Sequence, residues 1–255
     1  MSRTAALWLA GLMSVSIGLA FVASGCAADP YEKLELGPAR SVLRSSVEAL
    51  GGLERWQEAG AITAQAVVTL YDEKGKAMVN KHEQTVDLKA GTLEASASLA
   101  EGHWTARVTR KGKAQFTGKG KTLDEADRQR LLAGLALILH RVGGPLNLCG
   151  LGEAAGRPER VRPAGMAVDL VRVPAGNSTS DVVAYYFDAQ TSELRLVTAG
   201  ADEPLADGTV TVYTYGILLN GMGFPRRIRV VKIGRHALVG ETPVLEVIYS
   251  RVQFE

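Results

Sequence analysis

Side chains able to do chemistry are few in this chain, and they are scattered. The four histidines, His82, His103, His140 and His236, include no pair at ligand spacing, and none stands at ligand spacing from a cysteine, so zinc is not expected. No Gly-x-Ser-x-Gly elbow is present, and no nucleophile stands at a telling distance from a base. Gly112 to Lys119 (GKAQFTGK) has the look of a phosphate-binding loop, but five residues separate its glycines where four are required. Gly120 also follows the lysine where Ser or Thr would be needed, and the stretch reads as a basic hairpin. No catalytic residue, metal or cofactor is expected, and the chain reads as a protein that is not an enzyme. Two cysteines remain. Cys149 lies in Leu148-Cys149-Gly150, an apolar setting that suits an inert buried thiol. Cys26 stands directly after Ala23-Ser24-Gly25, and small residues before a cysteine suit processing chemistry at the backbone.

The residues before Cys26 give that chemistry a direction. Met1 to Thr4 carries one positive side chain, and Ala5 to Val22 carries no charge. A basic start, an apolar middle and a small-residue cleavage site make up a secretory signal. Val22 to Cys26 resembles the lipobox of bacterial lipoproteins, with Ala23 where Leu is usual. The resemblance implies that residues 1–25 are a signal peptide and that Cys26 is the lipid attachment site, and the short polar stretch 26–36 reads as a tether between lipid and domain. The membrane, reached through this lipid, is then a partner. Acyl burial at about 0.8 kcal/mol per CH₂ makes a multiply acylated terminus a durable anchor. A retained transmembrane anchor is the alternative, because roughly 18 apolar residues just cross a bilayer. Both readings place the domain in the cell envelope, outside the cytoplasmic membrane. Ala27 follows the cysteine in place of the Asp of inner-membrane retention, so the resemblance favours the outer membrane, facing the periplasm.

Removing 25 of 255 residues leaves 230, which suits one large all-β domain or two small ones, and with no evident break in the chain a single domain over 37–255 is expected. With 46% apolar and 22% charged residues, this part can bury a proper core. The net charge of +2 gives no long-range attraction to nucleic acid. The basic stretches Arg107 to Lys121 and Arg226 to Arg235 read as solvated faces, with anionic headgroups or an acidic partner as the alternative.

The elements follow from periodicity. Pro38, Val42, Leu43, Val47 and Leu50 predict a helix that ends at Gly51-Gly52, with a short second turn through Trp56 as a core anchor. From Ala61 the period becomes two. Ile62, Ala64, Ala66, Val68 and Leu70 share one face, as do Leu93, Ala95, Ala97 and Leu99, and then Trp104, Ala106 and Val108. Clean alternation with short turns means an antiparallel meander. Thr122 to Glu125 reads as a capping box, and the following run Leu131 to Leu139 is apolar all round. Such a helix must be buried on every side, across or inside the sheet. Six further strands are predicted: 166–173, 181–187, 193–198, 209–218, 224–233 and 244–254. The fold class is α+β: a strongly curved antiparallel sheet capped by helices.

This order of elements resembles the LolA/LolB superfamily of periplasmic lipoprotein carriers and receptors. Tyr213-Tyr215-Gly216, followed by Asn220 to Ile228 (NGMGFPRRI), adds an aromatic strand, a glycine turn and an apolar-Pro-basic strand start of the kind found in that group. The resemblance implies a half-open β-barrel whose helices cover an apolar cavity, and a lipid or lipoprotein as ligand. The candidate cavity residues are Val68, Leu70, Leu93, Leu99, Trp104, Phe116, Leu135 and Ile138, facing many small side chains. A scaffold lipoprotein with a filled core and no ligand is the other reading.

Overall fold

The computed structural model describes residues 37–255 apart from 73, 100–101, 121–122, 175–180, 202–207 and 234–241. The expected signal peptide, Cys26 and the tether lie outside the described residues, as does His236.

Two short helices open the described chain, α1 (Arg40–Ala49) and α2 (Leu53–Glu58). Between them Gly51 and Gly52 take φ of 102° and 81°, a conformation that reverses the chain and costs glycine little. A Cβ on Gly51 would lie 2.4 Å from the Gly221 carbonyl oxygen, so the helix end packs directly on the sheet. Trp56 is fully buried, and its indole Nε1 donates to the Leu50 carbonyl at 2.9 Å.

The sheet has twelve strands: β1 (Ala61–Tyr71), β2 (Ala77–Asp87), β3 (Thr92–Leu99), β4 (Gly102–Thr109), β5 (Ala114–Gly120), β6 (Glu159–Val161), β7 (Val168–Pro174), β8 (Asp181–Asp188), β9 (Leu194–Ala201), β10 (Gly208–Leu219), β11 (Met222–Ile233) and β12 (Thr242–Phe254). Every strand pairs antiparallel with its neighbours, in the order β5-β4-β3-β2-β1-β12-β11-β10-β9-β8-β7-β6. The sheet is not closed, and helices cover one face: the fold class expected from periodicity is the one observed. β1 alternates buried and half-buried residues along its whole length, with Ile62 to Leu70 inward as predicted. A one-residue slip would turn that entire set outward, so the register is strongly fixed.

β5 and β6 follow one another in the chain yet form opposite edges of the sheet. The segment between them must therefore cross from edge to edge. It does so as α3 (Glu125–Leu139) and α4 (Gly144–Leu148), with a further 3₁₀ turn at Cys149–Leu151. α3 lies against β1, β3, β4 and β5, and α4 packs on α1 and α2. Leu131, Leu135, Ile138 and Leu139 are fully buried, which explains a helix apolar on every side.

Three strands differ from the sequence expectation. β2 escapes the apolar alternation because three of its inward residues, Asn80, His82 and Gln84, are polar. β5, within the basic hairpin, is a largely exposed edge strand, and lysine on such an edge discourages pairing with other chains. β6 is only three residues long. The cap of α3 also differs: Asp124 is the N-cap, and its Oδ1 accepts the Asp127 backbone N–H at 2.8 Å. Thr122, the expected cap, lies outside the described residues.

Candidate functional site

Where α3 ends, its last turn faces the far half of the sheet across a pocket of about 460 Å³. One wall is helical: His140, Arg141, Gly144, Asn147 and Leu148. The facing wall belongs to β8, β9 and β10, through Tyr185, Leu194, Val197, Thr211, Tyr213 and Tyr215. Arg110 and Lys111, in the β4–β5 turn, complete it. The volume falls within the range of about 300–1,000 Å³ common to small-molecule sites.

The local chain dictates this placement. Gly144, the first residue of α4, takes φ of 48°, and a Cβ there would lie 2.6 Å from the Trp56 ring. The turn can therefore close against Trp56 only with glycine at this position. His140 and Arg141 follow the buried run of α3 directly, so the helix carries them inward. Arg141 is 7% exposed. Its Nε donates to Thr211 Oγ1 at 2.9 Å and its Nη1 to the Leu137 carbonyl at 2.8 Å. Arg110 donates from Nη2 to Asn147 Oδ1 at 3.3 Å, and Asn147 Nδ2 donates to the His140 carbonyl at 3.1 Å.

Electrostatically the pocket is a basic site in an apolar setting. Burial lowers the pKa of both Arg110 and Arg141, but an arginine starts so high that both remain cations. Burial first, and then the two guanidinium charges, push His140 down to about 4, so its ring is neutral at pH 7. Burial raises Tyr185 and Tyr215 above the ordinary phenol range and pushes Tyr213 up to about 12. These phenols keep their protons, so each can donate a hydrogen bond. The dipole at the C-terminal end of α3 on its own favours a cation at His140. The neighbouring cations and burial outweigh it.

The sequence-predicted cavity residues lie elsewhere. Val68, Leu70, Leu93 and Trp104 of the sheet and Leu135 and Ile138 of α3 are all buried in the main core. Phe116 is half-buried and stacks on Trp104 at 5.9 Å between centroids. The side chain of Leu99 is outside the described set. None of these residues lines the 460 Å³ pocket. The residues that sequence reasoning missed are Arg141, Arg110 and the three tyrosines. A basic side chain emerging from an all-apolar helix was the available signal for Arg141.

A second polar feature lies beneath α3. Gln84 Nε2 and His82 Nε2 are 2.8 Å apart, and the His82 ring meets Trp104 edge-on at 5.4 Å. Asn80 Nδ2, His82 Nδ1, Gln84 Oε1 and Trp104 Nε1 have no hydrogen-bond partner among the described residues. Such a seam can take up ordered water. Cys149 is fully buried, and its thiol donates to the Pro145 carbonyl at 3.2 Å. Among the described residues no three His, Cys, Asp or Glu side chains converge as a metal site. No single described helix is long and apolar enough to cross a membrane.

No family model matches the sequence, and no curated protein does. Solved structures match by shape. A DUF1329 family protein from Desulfovibrio piger superposes with a TM-score of 0.51 at 7% identity, over 86% of this chain and 94% of that one. The fold is shared. A LolA superfamily protein from Nitrosomonas europaea, the group that the element order resembles, is also among the matches. It superposes less closely, with a TM-score of 0.45 at 9% identity over 86% of this chain and 94% of that chain. Identities this low speak of fold alone, and the second overlap carries no argument about ligand or activity.

Proposed function

We propose that this chain is a lipid-anchored envelope protein that binds a lipid or acylated ligand without transforming it. The observation that carries the reading is the pocket between the end of α3 and the concave sheet, with tyrosines and aliphatic side chains on one wall and polar groups on the other. In this reading the pocket is the mouth of the site. Val68, Leu70, Leu93, Trp104 and Phe116 of the sheet, with Leu135 and Ile138 of α3 itself, form the deeper apolar region that takes an acyl chain when α3 lifts, and Leu99 is proposed to belong to it on its sequence pattern. Anchoring through Cys26 and an outer-membrane location facing the periplasm complete the proposal, with handling of lipoproteins as its setting. The 37–255 segment acts as one domain.

One observation favours the scaffold reading for the same region. The layer under α3 is tightly packed, and a Cβ on Gly134 would stand 2.5 Å from Leu70 Cδ2. Native mass spectrometry of the mature chain carrying Cys26→Ser separates the two. Co-purified lipid supports a carrier or receptor, and a clean apo mass across several lipid-fed preparations supports the scaffold.

A further inference from the structure

We propose that the pocket holds an oxyanion, the carboxylate or phosphate of an amphiphilic ligand, between Arg141 and Arg110. This rests on the reading of the pocket as a ligand site and adds the charge of what it takes.

Several arginines of this chain have carboxylate partners. Arg107 pairs with Glu94, Arg160 with Asp169, Arg172 with Glu159, Arg195 with Asp188 and Glu193, and Arg227 with Glu246. These pairs are at least partly exposed, where an ion pair contributes little. Arg141, among the most buried charged groups described, has no such partner: no carboxylate pairs with it or with Arg110 among the described residues. A guanidinium withdrawn from water without a counter-charge is unfavourable, and retaining one at a pocket wall calls for an anion that arrives from outside.

The hydrogen bonds agree. Thr211 and the Leu137 carbonyl engage Nε and Nη1 of Arg141 and fix its plane, while Nη2 meets no acceptor among the described residues. A planar fork with one free arm suits a carboxylate or phosphate oxygen. Arg110 is steered by Asn147 toward the same space, and His140 beside them is neutral and adds no competing charge. Tyr185, Tyr213 and Tyr215 supply apolar ring surface with protonated hydroxyls, which suits the junction between a charged head and a hydrocarbon tail. Lys111 stands exposed at the rim, where it can attract an anion.

Equilibrium binding to the mature chain carrying Cys26→Ser tests this with three probes: oleate, oleyl alcohol and inorganic phosphate. Oleate should bind about ten-fold or more tighter than oleyl alcohol, which has the same chain without the charge. Arg141→Met and Arg110→Met should each remove that preference, bringing oleate affinity down to within about two-fold of the same variant's oleyl alcohol affinity. Arg141→Met should also unfold at the same or a higher temperature than wild type without ligand, because it removes an uncompensated buried charge. Oleate should raise the His140 pKa from about 4, read by NMR, because an anion offsets the two neighbouring cations. Equal binding of oleate and oleyl alcohol would overturn the anion site and leave the lipid-binding reading standing. Phosphate binding as tightly as oleate would keep the anion site and remove the lipid. Failure of all three probes to bind would overturn both.

Discussion

His82 illustrates how strongly one buried side chain can tie stability to acidity. It is 4% exposed on β2, and burial alone pushes its pKa down to about 4 from 6.5. The unfolded chain therefore takes up this proton first as pH falls. The histidine's contribution is complete above about pH 6.5 and is lost progressively toward pH 4, a span of roughly 3 kcal/mol. His140, lowered to about 4 by burial and two arginines, acts in the same window. Urea denaturation at several pH values should show stability falling from pH 6.5 to 4.5 and a shallower fall for His82→Gln. Superimposable profiles for variant and wild type would contradict this account. Cys149 is as deeply withdrawn from solvent. With no exposed surface and a hydrogen bond to Pro145, its thiol should react with a thiol reagent only as the protein unfolds. Rapid labelling of the native mature chain carrying Cys26→Ser would place it in an open site instead.

Between elements, the critical point is the turn from α3 to α4. Gly144→Ala would combine a left-handed φ with a Cβ driven into the rigid Trp56 ring, and both effects act in the same direction. A loss of about 1–3 kcal/mol is expected, measured as a lower denaturation midpoint, and a neutral variant would show that the turn can open without cost. Leu135→Asp should cost more, because a charge on the fully buried face of α3 has no partner there. The same elements show what could be read from sequence. β1, β3, β4 and the late strands announce themselves because each keeps an apolar face at period two, and α3 because it is apolar all round. β2 stays hidden because Asn80, His82 and Gln84 occupy positions where alternation demands apolar side chains. The pocket was less legible still. Periodicity reports which face of an element is apolar, whereas Arg110, Arg141 and Tyr213 meet only because three separate segments converge. Arg110, read with its neighbours as part of a solvated basic face, turns inward instead.

On the scale of the whole molecule, topology separates where the protein sits from what it holds. Because β5 and β6 are consecutive in sequence but lie at opposite sheet edges, the helical crossing is obligatory, and the pocket at the end of α3 is built into the fold. The proposed anchor, Cys26, lies eleven residues before Gly37 in the chain. A fully extended chain of that length reaches about 36–40 Å, enough to hold the domain clear of a membrane surface. Anchor and pocket should then be separable. Cys26→Ser is expected to lose metabolic fatty-acid label and to leave the membrane fraction, while the purified chain keeps its oleate affinity within about two-fold. Fatty-acid label in the variant equal to wild type would remove the lipid assignment at Cys26. Loss of oleate binding in a variant that remains folded would tie the pocket to the protein's own acylated terminus and contradict their independence.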